Sequence, residues 1–206
     1  MVVVDSSTIF AAIIFAFTIG VSLYALFRDN RLLDKYLMHP YSVVRYNQWI
    51  TVVSSGFIHA DIMHLMFNML TFYFFAFHLE RTIGSMNFGL IYFGSMIISH
   101  LPSLIKHKDD YNYRSLGASG AISGILFSTI MFYPDMTLGM MILPVRMPAI
   151  IFGVLYLVWC WYAAKNANDN IGHDAHLYGA LAGIVLTIIL IPGVIDNFLF
   201  RMNYVF

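Results

Sequence analysis

The sequence predicts an all-α integral membrane protein: a six-transmembrane-helix bundle with a long, partly membrane-embedded first loop. Three observations carry that prediction. Hydrophobic residues make up 60% of the 206-residue chain and charged residues 11%, against about 25% charged in an average soluble domain. A soluble chain of this length has too little interior to hide so much apolar side chain. Six runs of 18 or more residues, 6–27, 62–79, 82–105, 115–134, 147–164 and 175–195, contain no Asp, Glu, Lys or Arg. A spanning helix needs about 20 mostly apolar residues, so each run can supply one. The runs are also continuously apolar, as from Ile9 to Leu26 and Leu177 to Ile191. A membrane β-barrel would alternate polar and apolar positions instead.

The same composition removes other classes. Lys+Arg and Asp+Glu are both 11 and the net charge is zero, which leaves no basic face for nucleic acid. Cys160, the single cysteine, can form neither an intrachain disulfide nor a thiolate zinc cage.

Taken in order, the helices are expected at about 6–27, 62–79, 86–105, 116–133, 147–164 and 175–195, in one membrane domain over 1–206. The first has no basic stretch before it and no small-residue cleavage site, so it reads as a retained helix. The 28–61 connection contains a charge-free stretch, 46–60, in which Tyr46 and Trp49 stand beside polar residues; it is expected to lie at the interface. Residues 134–148 carry Pro134, Pro144 and Pro148, which break helix and predict an extended segment against the membrane surface.

Six spans place the loops 28–61, 106–115 and 165–174 on one side. His64 and Asn68 then fall in the first turns of the second helix, Ser119 at the start of the fourth and His176 at the start of the sixth. All enter from that same side. Polar groups at shared depth are costly in lipid and by default mark function. The pairs Gly120/Gly124 and Gly179/Gly183 let the fourth and sixth helices approach closely, which would bring a hydroxyl toward an imidazole as nucleophile and base. His64 and Asn68, four apart, share a helix face and could donate to a developing oxyanion.

At these residues the chain resembles the rhomboid intramembrane serine proteases. Gly117-Ala118-Ser119-Gly120 is similar to the family's G-x-S-G, His64 to Asn68 to its H-x-x-x-N, and Ala175-His176 through Gly179 and Gly183 to its A-H-x-x-G-x-x-x-G. Glu80 to Gly84 resembles a structural E-x-x-x-G turn. The motifs stand in the family's order over about residues 40–190. The resemblance implies catalytic Ser119 and His176, an oxyanion hole of His64 and Asn68, transmembrane protein substrates, the lipid bilayer as surroundings and no cofactor. It further implies a bacterial inner-membrane location with an extracytoplasmic site. Counting basic residues alone implies the reverse orientation. Arg28, Arg31, Lys35, Arg45, Lys106, Lys108, Arg114 and Lys165 lie on the site's side, against Arg81, Arg146 and Arg201 opposite.

The chain departs from the family pattern twice. The first-loop Trp-Arg pair of many members is absent, with Gln48-Trp49 close by. Ser123 stands where many members carry an aromatic that stacks on the base, so another group is expected to orient His176. Asp174, two residues before His176, is poorly directed to act as a third acid, which predicts a dyad. A metal reading, from His59/His64 and His173/His176, lacks the H-E-x-x-H pattern; no metal is expected, and His59, His173, His39 and His107 read as loop or interfacial residues. A catalytically weak or inactive relative that binds transmembrane clients is the remaining alternative.

Overall fold

The computed structural model describes residues 7–139, 146–167 and 171–205. Helix α1 (Ile9–Phe27) starts after Thr8, whose carbonyl accepts from the Ala12 amide at 3.1 Å, and ends at the first charge, Arg28. The connection to the next long helix holds α2 (Arg31–Tyr36), α3 (Pro40–Tyr46), α4 (Thr51–Ser54) and a 3-10 turn, Ser55–Phe57. In this stretch Tyr46, Trp49 and Ile50 are exposed while Thr51 and Val52 are buried.

Helix α5 (Ile62–Lys106) is nucleated by Asp61, whose carboxylate accepts from the His64 amide at 2.8 Å. It contains two of the expected helices. The expected turn between them narrows to Gly84, which takes φ +77° and ψ 159°, a conformation open to glycine. The polar residues there do not mark a solvated loop. Glu80 is fully buried and accepts from the amides of Phe10 at 3.1 Å and Ala11 at 2.7 Å, and from the Ser85 hydroxyl. Its charge thus satisfies the free N–H groups at the start of α1.

Helix α6 (Ser119–Phe132) is followed by an antiparallel pair of strands, β1 (Thr137–Gly139) and β2 (Arg146–Pro148), with Thr137 opposite Pro148. The expected extended segment is therefore a short sheet at its described ends, and 140–145, including Pro144, lie outside the described residues. Helices α7 (Ala149–Asn166) and α8 (His173–Leu190) come next. The expected sixth helix runs too far: Pro192 cannot continue the ladder, Gly193 turns left-handed at φ +79°, and α9 (Val194–Met202) starts anew. Arg201 on α9 forms a two-pronged pair with Asp135, at 2.7 and 2.8 Å.

By length and apolarity α1, α5, α7 and α8 can each cross a membrane, and α6 is a shorter apolar helix of 14 residues. The core is formed where α5, α6 and α8 pack against one another. A Cβ on Gly179 would run into the Gly120 backbone, and one on Gly183 into that of Gly124. One turn further, Thr187 Oγ1 donates to Ser128 Oγ at 2.7 Å. These three pairs share a 59-residue separation, so α6 and α8 run parallel in backbone contact. The same glycines also adjoin α5, where a Cβ on Gly120 or Gly124 would meet Ser99 or Ser95. Small residues here replace the hydrophobic drive that lipid cannot supply between helices.

Candidate active site

The four predicted site residues lie at one end of this core. Ser119 is the first residue of α6, His176 lies in the first turn of α8 and His64 in the first turn of α5. The 59-residue register sets Ser119 level with Tyr178, so His176 starts about 3 Å of helix rise nearer the end. Ser119, His64 and His176 are half-buried, whereas Asn68 is buried.

Helix α6 begins three residues later than the predicted 116 because the chain ahead of it is tied elsewhere. Gly117 has φ +110° and its amide donates to the Ser55 carbonyl at 2.8 Å. Met38 and Ser115 exchange backbone hydrogen bonds at 2.8 and 2.9 Å. The first connection is thereby pinned to Ser115 and Gly117, just ahead of Ser119. The His64 ring fills the space over Gly117, with Cε1 and Nε2 2.6 and 2.7 Å from where a Cβ would stand. Only glycine therefore suits this position, for both its backbone and its neighbour.

Asn68 donates its side-chain amide to the His64 carbonyl at 2.9 Å. That bond occupies one of its two N–H donors. The Asp174 carboxylate stands 3.7 Å from the Lys106 ammonium. Among the described residues no cluster of three or more His, Cys, Asp or Glu could hold a metal ion.

Two histidines read as loop or interfacial residues need correcting: His173, which is buried as the first residue of α8, and His59. His59 is fully buried. Its Nε2 accepts from the Ala118 amide at 3.4 Å, the residue just before Ser119. Nδ1 then carries the proton and donates to Ser22 Oγ at 2.9 Å, and that hydroxyl donates to the Phe57 carbonyl at 3.0 Å. Burial, aided by the neighbouring His64, pulls its pKa down to about 3, so the neutral ring bridges α1 to the start of α6. Its ring meets that of His64 edge-on at 5.0 Å. Position outside any helix hid it in the sequence; only the five-residue spacing to His64 could have pointed to it.

A ring from α7 lies near both Ser123 and His176. The Tyr156 ring lies 6.5 Å from that of His176 at an interplanar angle of 22°, and its hydroxyl is 2.8 Å from Ser123 Oγ.

Residues 46–193 match the rhomboid domain family. Over 70% of this chain and 68% of the relative, it is 31% identical to YdcA, a candidate rhomboid protease of Bacillus subtilis. It is 28% identical to the mitochondrial rhomboid protein 1 of Saccharomyces cerevisiae over 75% of this chain and 45% of that protein. With the rhomboid protease GluP of Bacillus subtilis it shares 30% identity over 67% of this chain and 26% of GluP. The chain thus spans less than half the length of the last two. With this match and its long apolar helices, the chain belongs to the rhomboid family and is a multi-pass integral membrane protein.

Proposed function

We propose that the protein is an intramembrane serine endopeptidase that cleaves transmembrane segments of membrane proteins. The observation that carries this reading is the parallel backbone contact of α6 and α8, which sets Ser119 and His176 at the same end of adjoining helices. In this reading α5 supplies two spans, one on each side of Gly84, giving six in all. The first connection, with exposed Trp49 and Ile50, dips into the interface, and the site faces the extracytoplasmic side of a bacterial inner membrane.

The neutral imidazole of His176 takes the Ser119 proton as the oxygen attacks a peptide carbonyl. The resulting oxyanion is held by His64, the second N–H of Asn68 and the Ser119 amide, which has no partner within α6 because it lies in the first turn. Collapse forms the acyl-enzyme while His176 protonates the leaving amine; water then attacks the ester and releases the acid. A substrate helix must unwind locally, since its carbonyls are tied in i→i−4 bonds.

The test is labelling of the detergent-solubilised protein by a fluorophosphonate. Wild type should label, and Ser119→Ala and His176→Ala should not. Labelling that survives Ser119→Ala would sink the serine nucleophile. A second reading, a rhomboid-like protein that binds transmembrane clients without cutting them, is favoured by the Asn68 amide turned onto its own helix. It predicts client capture with no labelling of wild type.

A further inference from the structure

The sequence leaves the candidate base without its usual stacking partner, and the structure offers a substitute from a different helix. Ser123 lies one turn beyond Ser119, so it shares the face of α6 that carries the nucleophile. It is buried, and its hydroxyl meets the phenol of Tyr156 at 2.8 Å. The ring of Tyr156 is nearly parallel to the imidazole of His176, at a centroid distance within the offset-stacking range. Phe127 of α6 and Phe152 of α7 flank the phenol ring at 5.7 and 5.9 Å. A second pair repeats the arrangement one turn away, where Trp159 meets His173 edge-on at 6.5 Å. The spacing of three on both helices matches an antiparallel α7–α8 contact.

We infer that Tyr156 is the positioning residue for His176, held in place by Ser123. The second side-chain torsion of histidine is intrinsically broad, and the other ring beside His176, that of His173 at 6.1 Å, meets it edge-on rather than face to face. A parallel phenol narrows that torsion, and the Ser123 hydrogen bond fixes the height of the phenol. The helix that bears the nucleophile thus sets the aim of the base through a third helix. An aromatic at 123 would do the same directly; the serine here leaves room for the ring from α7. This inference rests on the Ser119–His176 reading.

The experiment measures fluorophosphonate labelling rates against probe concentration, with Ser119→Ala as blank and thermal midpoints recorded for each variant. Tyr156→Leu should lower the saturating rate about 10²-fold, in line with the cost of small misalignments, with half-saturation nearly unchanged. Tyr156→Phe, which keeps the ring, should lose less than about tenfold. Exchanging the two residues, Ser123→Tyr with Tyr156→Ser, refills the same space from α6 and should recover most of the rate. If Tyr156→Leu fails to fold, this volume-matched double variant carries the comparison, and recovery of folding without recovery of rate overturns the inference. A folded Tyr156→Leu that labels at the wild-type rate also overturns it while leaving the serine-hydrolase reading intact. Wild type that does not label at Ser119 overturns both.

Discussion

Helices α6 and α7 are neighbours with opposite surroundings. Eleven of the fourteen residues of α6 are buried, against four of the eighteen in α7. The first is walled by small residues on two sides, so its position is fixed by backbone contacts that have no slack. The second turns Val154, Leu155, Val158, Trp159, Trp161 and Tyr162 outward and touches the core through a few rings. In the proposed site the nucleophile candidate therefore stands on the more tightly packed of these two helices, while the orientation of the base would depend on the more loosely packed one. A protein can hold one catalytic partner rigidly and the other conditionally.

Glycine substitutions separate the two regimes most sharply. In Gly179→Ala the new methyl meets the Gly120 backbone, which cannot turn aside, and overpacking of this kind costs about 3 kcal/mol or more. The variant is expected to lose its cooperative thermal transition in detergent. On α7, Gly153→Ala meets only Ile130 Cδ1 at 3.1 Å and Phe127 Cε1 at 3.3 Å, ends of side chains that can shift. Its change should stay within about 1 kcal/mol, because alanine also favours the helix by about as much as the crowding costs. Equal losses in the two variants would erase the contrast between the helices.

Acid should loosen the α6 end next. His59 is neutral in the folded protein with a pKa near 3, against an ordinary value of 6.5. The unfolded chain binds the extra proton first, so the stability due to neutral His59 is complete above about pH 6.5 and is lost progressively as pH falls toward 3. Thermal midpoints measured from pH 7 to 4 should fall, and His59→Asn should flatten that slope. A slope unchanged by His59→Asn would show that other groups set it. The smallest effect belongs to the far end of the bundle, where Arg201 and Asp135 are partly exposed, 33% and 21%. A double-mutant cycle on this pair should give under about 1 kcal/mol and shrink with added salt.

Much of this frame is readable from the chain alone. Every charge-free run coincides with the body of a long helix, α5 taking two of them, and topology alone gathers His64, Asn68, Ser119 and His176 at one end. Helix ends were less legible. The late start of α6 comes from Gly117 being tied to Ser55, a contact across 62 positions of sequence that periodicity does not encode. The resemblance marks Glu80 to Gly84 as a structural turn but not what its carboxylate binds; its partners, the amides of Phe10 and Ala11, lie 70 and 69 residues away. Tyr156 was indistinguishable from Trp159, Trp161 and Tyr162, since aromatic residues facing lipid and those facing a base look the same in an apolar helix. His59 became visible only through burial.

The Glu80 carboxylate also couples the start of α1 to the bend at Gly84. The amides of Phe10 and Ala11 lie in the first turn of α1 and have no acceptor within it, and a buried carboxylate is costly without donors. Where the two meet, one contact satisfies both, so a change that displaces either end leaves the other unsatisfied.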